Sequence, residues 1–270
     1  MTKITVAHSP DSDDAFMFYP LAKGKIDTGE YEFDHVLSDI ETLNNKALEG
    51  VYEVSAISIH AYPYVADKYA LLRSGASMGY KYGPIIVSKN PIESIKGKRV
   101  GVPGKLTSAY LELRLFEEDF TPVFMNFDEI TKAVEREDID AGLIIHEGQL
   151  TYEKEHLHKV ADLGEWWYEE TGLPLPLGGN AIRKDLGEKA MKEVSEHLKK
   201  SIVYSLEHED EALDYALEFG RGLSREDARK FVKMYVNELT VDCGEEGKRA
   251  TELLLERGYE KGIIKNKVEI

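Results

Sequence analysis

Short apolar runs alternate with helix-patterned segments up to about residue 180, and that alternation restricts the chain to α/β architecture. Ile4 and Val6 mark a first strand that stops at His8-Ser9-Pro10, and further strands are expected at Tyr31–Leu37, Val54–Ser58, Tyr69–Leu72 and Gly83–Ser88. The last of these, GPIIVSKN, is apolar without a break, which predicts a central place in a sheet. Between the strands, Asp11-Ser12-Asp13-Asp14 precedes the apolar Ala15–Tyr19. Acidic and hydroxyl residues in that position read as a capped helix start matched to the helix dipole. Leu43, Ala47 and Leu48 give a second helix, closed by Glu49-Gly50.

Asn90-Pro91 interrupts the pattern and a new unit begins. Arg99–Val102 reads as a strand running into the tight Pro103-Gly104 turn, and Leu111, Leu115 and Phe116 form the apolar face of the helix that follows. Pro122–Asn126 is the next strand, Asp128 is placed to cap a short helix over Ile130–Val134, and Ile139–Ile145 is another apolar strand. Asp162–Asn180 returns the chain, stiffened by Pro174 and Pro176, with Gly178-Gly179 available as a flexible turn. From Asp185 onwards the spacing is helical, with Met191, Val194, Leu198 and Ile202 on one face and a final stop at Gly258. Two crossings, near Ser88-Lys89 and near Gly178–Ala181, divide the chain into two lobes. Residues 1–88 plus 180–270 form a discontinuous first lobe with C-terminal helices, and residues 89–179 an inserted second lobe. This is similar to the α/β, two-lobe type II periplasmic-binding-protein-like fold with an interlobe cleft.

Candidate chemistry gathers where the apolar runs turn polar. His146 directly follows Ala141–Ile145, at the carboxyl end of its strand, where open α/β sheets bind ligands. An imidazole there can exchange protons near neutral pH; the alternative is a histidine that only caps its strand. Ser58 leaves its own strand in the same way. Thr107 or Ser108 can cap the helix that opens at Lys105–Tyr110, leaving backbone N–H groups that suit an anion, although an ordinary cap without a ligand has the same sequence. The GxxxxGK[ST] phosphate loop is absent. The three aspartates of the first loop have neither calcium-loop spacing nor a His/Cys partner, and no metal site is expected there. His156 and His158 lie in a Lys- and Glu-rich stretch and read as surface residues, while Trp166 and Trp167 either stack on a ligand or pack.

Charge narrows the class of partner. A net charge of −16 disfavours nucleic acid and anionic membranes but leaves room for a small anionic ligand in a local pocket. The one cysteine, Cys243, excludes an internal disulfide. No apolar stretch approaches the roughly 18 residues of a membrane span. MTKITVAHSP enters a strand pattern without a signal peptide's apolar core, so a cytoplasmic location is expected.

Several longer stretches resemble one family. HSPDSDDAFMFYPL, DIETLNNKALEG, SAISIHAY, VPGKLTSAYL, AGLIIHEGQLTY, DLGEWWYEETGLPLPLGGNAI and YVNELTVDCGEEG are together similar to the 1,4-dihydroxy-6-naphthoate synthases of the futalosine route to menaquinone. The first loop departs from the family's frequent SPCPNDTF, reading SPDSDDAF. The resemblance implies a carbon–carbon lyase without metal or organic cofactor that converts cyclic dehypoxanthinyl futalosine to 1,4-dihydroxy-6-naphthoate. It also implies His146 as proton acceptor and substrate contacts at Ala56, Ile57, Ser58, Thr107, Ser108 and Ala109. Two alternatives are a chorismate dehydratase-like sibling, whose pattern lacks the histidine of IIHE, and a non-catalytic solute-binding protein, which would carry a signal peptide.

Overall fold

A computed structural model describes residues 1–220 and 222–270 as two sheets flanked by helices. The first sheet contains β1 (Thr2–His8), β2 (Tyr31–Leu37), β3 (Val54–Ser58), β4 (Tyr69–Leu71), β5 (Ser77–Gly79) and β11 (Leu175–Arg183), in the order β2-β1-β3-β11-β4 with β5 beside β11. The second contains β6 (Ile85–Ser88), β7 (Arg99–Val102), β8 (Thr121–Phe124), β9 (Ala141–Ile144) and β10 (His158–Asp162), in the order β10-β6-β9-β7-β8. β1 runs parallel to β2 and β3, and β7 runs parallel to β8 and β9. The loops leaving β1 and β3 therefore emerge at one edge of the first sheet, and those leaving β7 and β9 at one edge of the second. These edges face each other across a cleft.

The apolar run Ala15–Leu21 is buried on all sides, which makes the helix Ser12–Ala22 a core element rather than surface cover. It packs on β1 and β3 through Ile4, Val6 and Val54, and the helices Glu188–Glu207, Glu209–Ala216 and Arg225–Tyr235 close over it. In the second sheet, Ile130, Ala133 and Val134 of the helix Phe127–Glu135 pack on Ile139, Ile144 and Val87. β6 sits between β9 and β10, so its unbroken apolar sequence does correspond to an interior strand.

Four local expectations are corrected. β6 hydrogen-bonds into the second sheet, so the chain leaves the first sheet before Ile85 rather than near Ser88-Lys89. Gly178-Gly179 is not a turn: both residues lie within β11, opposite Ser58 and Ile57, and Pro176 is accommodated at a shift of register against β5. The cap before Phe127–Glu135 is Asn126, and Asp128 sits inside the first turn, where its charge favours the helix dipole. Gly258 does not end the last helix, which runs Gly244–Glu260. A Cβ at 258 would lie 2.7 Å from Ile264 and 2.9 Å from Leu111, so close packing of that helix requires the glycine. Among the described residues no helix is long and apolar enough to cross a membrane.

Candidate active site

β9 ends at Ile144, and the chain turns so that His146 adopts a left-handed backbone, φ 58°. That region is uncommon outside glycine but less so for His, Asn and Asp, and an outlier of this kind at a sheet edge points to functional constraint. The imidazole Nδ1 lies 2.9 Å from Oδ2 of Asp11, and the Phe127 ring meets it edge-on with centroids 5.0 Å apart. Burial is the largest single influence on its proton affinity and lowers it. The negative charge and hydrogen bond of Asp11, followed by the charges of Glu147 and Asp13, together outweigh burial and push the pKa up to about 9. These influences favour the protonated ring and displace its proton exchange upward from neutral pH.

Asp11 is where the sequence reading of the first loop fails. It stands at the N-cap of Ser12–Ala22 in extended conformation, but its side chain makes no cap hydrogen bond. The carboxylate turns to His146 instead, from a residue buried to 1% exposure. Its neighbours are engaged in different ways. Asp14 accepts from the N–H and the hydroxyl of Ser9 at 2.8 and 2.7 Å, and its pKa is pushed up to about 6, chiefly by burial. Asp13 holds its proton well above the usual carboxylate range, first because of burial and then because of Asp14, Asp11 and Glu147. Ser12 donates its hydroxyl to Glu147 at 3.2 Å, a contact that, like Asp11–His146, joins the loop after β1 to the loop after β9. Among the described residues no group of three His, Cys, Asp or Glu is placed to hold a metal ion.

The opposite side of the cleft is built on Asn44, a residue sequence reasoning missed. Asn44 is fully buried on the helix Ile40–Glu49; its Oδ1 accepts the Ser58 N–H at 2.8 Å, and its Nδ2 donates to Ser58 Oγ at 3.0 Å. This clamp occupies the Ser58 N–H and leaves the hydroxyl hydrogen as the serine's remaining donor. Thr107 caps the helix Ser108–Phe116, accepting from the Tyr110 N–H, as its spacing predicts. His60 reaches across from the end of β3: its N–H donates to Ser108 Oγ at 3.3 Å and its Nδ1 lies 3.1 Å from the Thr107 carbonyl. Burial lowers the pKa of His60 to about 4, so it is neutral and its ring acts as a fixed spacer. Among the described residues the Ser108 and Ala109 N–H groups have no protein partner and open the first turn to an anion.

These two sides line one cleft, enclosing ≈ 780 Å³ of atom-free space that is partly open to solvent. His146, Ala56, Ile57, Ser58, Thr107, Ser108 and Ala109 all border it, as do Asp13, Asp14 and Gln149. Met17, Ile40, Leu177, Phe231 and Tyr235 supply an apolar wall of the kind that suits a flat ring. Tyr235 is held by a 2.6 Å hydrogen bond to Gln149 Oε1, which ties the helix Arg225–Tyr235 to the loop carrying His146. No lysine or arginine occurs among the described lining residues; hydroxyls, N–H groups and the His146 ring border the cleft and can meet a negative charge. His156 and His158 are exposed, away from this cleft. Trp167 is fully buried with Nε1 bonded to the Pro174 carbonyl, and Trp166 packs on Phe116. Both belong to the core.

A deep cleft between two α/β sheets, lined by loops from the strands' carboxyl ends, defines a periplasmic-binding-protein-like fold. The alkanesulfonate-binding protein SsuA of Xanthomonas axonopodis superposes with a TM-score of 0.72 over 99% of this chain and 96% of its own, at 14% identity. A crystallised protein of Archaeoglobus fulgidus is closer, with a TM-score of 0.94 and 51% identity over 97% of this chain and 98% of its own. Residues 4–260 match the family model described as menaquinone biosynthesis. The 1,4-dihydroxy-6-naphthoate synthase of Thermus thermophilus is 41% identical over 97% of this chain and 96% of its own. That of Streptomyces coelicolor is 35% identical over 97% and 94%. The chain belongs to the 1,4-dihydroxy-6-naphthoate synthase family of menaquinone biosynthesis, a family of lyases.

Proposed function

We propose that this protein converts cyclic dehypoxanthinyl futalosine to 1,4-dihydroxy-6-naphthoate with His146 as general base and without metal or organic cofactor. The observation that carries the reading is the place of His146. It is an ionisable side chain at the end of β9, bordering the cleft that the Ser58 and Thr107–Ala109 groups also line. The substrate carboxylate would lie on the first turn of Ser108–Phe116, where the N–H groups of Ser108 and Ala109 and the hydroxyls of Ser58 and Ser108 can donate to it. Its ring system would pack on Leu177, Phe231 and Tyr235. Carbon–carbon cleavage that yields an aromatic product requires removal of a proton from a hydroxyl or carbon, and a positioned base contributes about 10²–10⁴-fold to such a step.

The base must be neutral to act. With its pKa pushed up to about 9, His146 is a stronger base than a free imidazole but is populated in the active form only as pH rises towards that value. The rate should therefore climb from pH 7 to about 9. The two sheets would act as lobes, the first carrying β1–β5 and β11 and the second β6–β10, closing on the substrate to exclude water. Incubating the purified protein with cyclic dehypoxanthinyl futalosine, without added metal and in the presence of a chelator, tests the reading. Release of the naphthoate is expected, and no product across pH 7–9 would overturn it.

A further inference from the structure

The two residues of the Asp11–His146 contact come from different sheets. Asp11 follows β1 in the first sheet and His146 follows β9 in the second, and Nδ1 and Oδ2 meet at 2.9 Å where the two loops converge. A carboxylate at that distance fixes the ring in two ways. Its charge at ion-pair distance favours a proton on Nδ1, and it leaves Nε2, which has no protein partner among the described residues, as the nitrogen available to the cleft. The ring cannot rotate away easily, because Phe127 packs edge-on against it and its backbone is already in the left-handed region.

We propose that Asp11 is the positioning residue for His146, holding Nδ1 so that Nε2 takes the substrate proton, and that bringing the two sheets together is what completes the base. This rests on the reading of His146 as the base. In the step, the substrate's O–H or C–H bond breaks and an Nε2–H bond forms. Nδ1 keeps its proton, directed at Asp11, and the imidazolium so produced is balanced by that ionised carboxylate. The proton is later returned to the departing sugar-derived fragment, leaving His146 neutral again. Asp11 therefore stabilises a charge that grows during the reaction, which makes its contribution larger in the transition state than in the bound ground state.

The described titratable groups around the ring are Asp11 and Asp13 from the loop and first turn after β1, Asp14 one residue further, and Glu147 on the same loop as His146. All are acidic, and Asp11 makes the largest favourable contribution to the raised pKa of His146. Removing its charge leaves burial as the leading influence, and burial acts in the opposite direction.

The test uses Asp11→Asn, which preserves size and an acceptor oxygen but removes the charge, with Asp11→Glu as the conservative variant. The pH profile of kcat/KM is measured for each, and His146 is titrated by nitrogen-15 NMR in the same preparations. In Asp11→Asn the rising limb should move to lower pH by more than one unit. The high-pH plateau of kcat should fall on the order of ten- to a hundredfold with KM nearly unchanged, because a weaker and less well-oriented base remains. Asp11→Glu should restore part of both. A limb that stays in place with a plateau within twofold of the unsubstituted protein overturns the proposal. So does an NMR pKa near 6.5 in the unsubstituted protein, a result that does not depend on any variant folding. His146→Asn, assayed alongside, separates the two failures. Retained turnover there removes the base itself, whereas lost turnover there with an unaffected Asp11→Asn removes only the pairing.

Discussion

Asn44 shows how much of the site rests on a residue that sequence patterns do not reveal. In the sequence it is one of two adjacent asparagines in an amphipathic helix. In the structure its amide occupies both the N–H and the hydroxyl of Ser58. Asn44→Ala would leave the buried Ser58 N–H without a partner, costing roughly 1–3 kcal/mol, and would free the serine rotamer. Reduced stability together with a raised substrate KM is expected from denaturant melts and steady-state kinetics. A variant as stable as the parent with the same KM would show that the clamp does not shape the site. His146 was legible because an apolar strand ran straight into it. Asp11 was visible as an acidic residue at a helix start, but its orientation was not: capping preference directs an aspartate to its own helix, and only the approach of a second sheet offers it an imidazole. The stabilisation from that pair has a defined pH range. A histidine pKa raised from 6.5 to about 9 means that the contribution is fully present below 6.5 and is lost as pH rises through about 9.

Among the elements, the helix Ser108–Phe116 combines a legible end with an illegible middle. Its start follows from Thr107, whose hydroxyl is placed to accept from Tyr110, and from the apolar face that Leu111 buries. Glu112, one turn further along, is fully buried, and neither carboxylate oxygen has a hydrogen-bond partner among the described residues. Burial first, and then the charge of Asp162, hold its pKa well above the ordinary value. A buried acid of this kind favours the folded state fully only below the unfolded value of about 4.5, and that contribution is lost as pH rises. Glu112→Met keeps the approximate size without the polar group and should be more stable at pH 8 by about 1–3 kcal/mol, with the gain shrinking as pH falls towards the unfolded value of about 4.5 and levelling off below it. Thermal melts at the two pH values check this; an unchanged or reduced stability at pH 8 would show that Glu112 is satisfied in solution. β11 was less legible for a different reason. Its prolines and paired glycines are turn formers, and only pairing with β3, β4 and β5 makes a strand of them.

For the whole molecule, alternating strands and helices were enough to read a two-sheet α/β fold, but not the residue at which the chain changes sheets. β6 is apolar enough to serve either sheet, and its membership is decided by β9 and β10 beside it. The cleft is bridged on one side by Asp11–His146 and Ser12–Glu147, and on the other by His60 with Ser108 and Thr107. If the sheets move as lobes, the acidic bridge is the contact that opening would break. Small-angle scattering should then show a smaller radius of gyration when the naphthoate product is added, and an unchanged radius would argue against closure. The central claim, that His146 is the base, is tested most directly by the single-turnover rate of His146→Asn, measured near pH 9 beside its melting temperature. Asparagine tolerates the left-handed backbone at this position, so the variant removes the proton acceptor while sparing the fold. A loss of about a hundredfold or more, with substrate binding and melting temperature retained, is the result expected of a general base. Retention of more than about a tenth of the unsubstituted rate would contradict it.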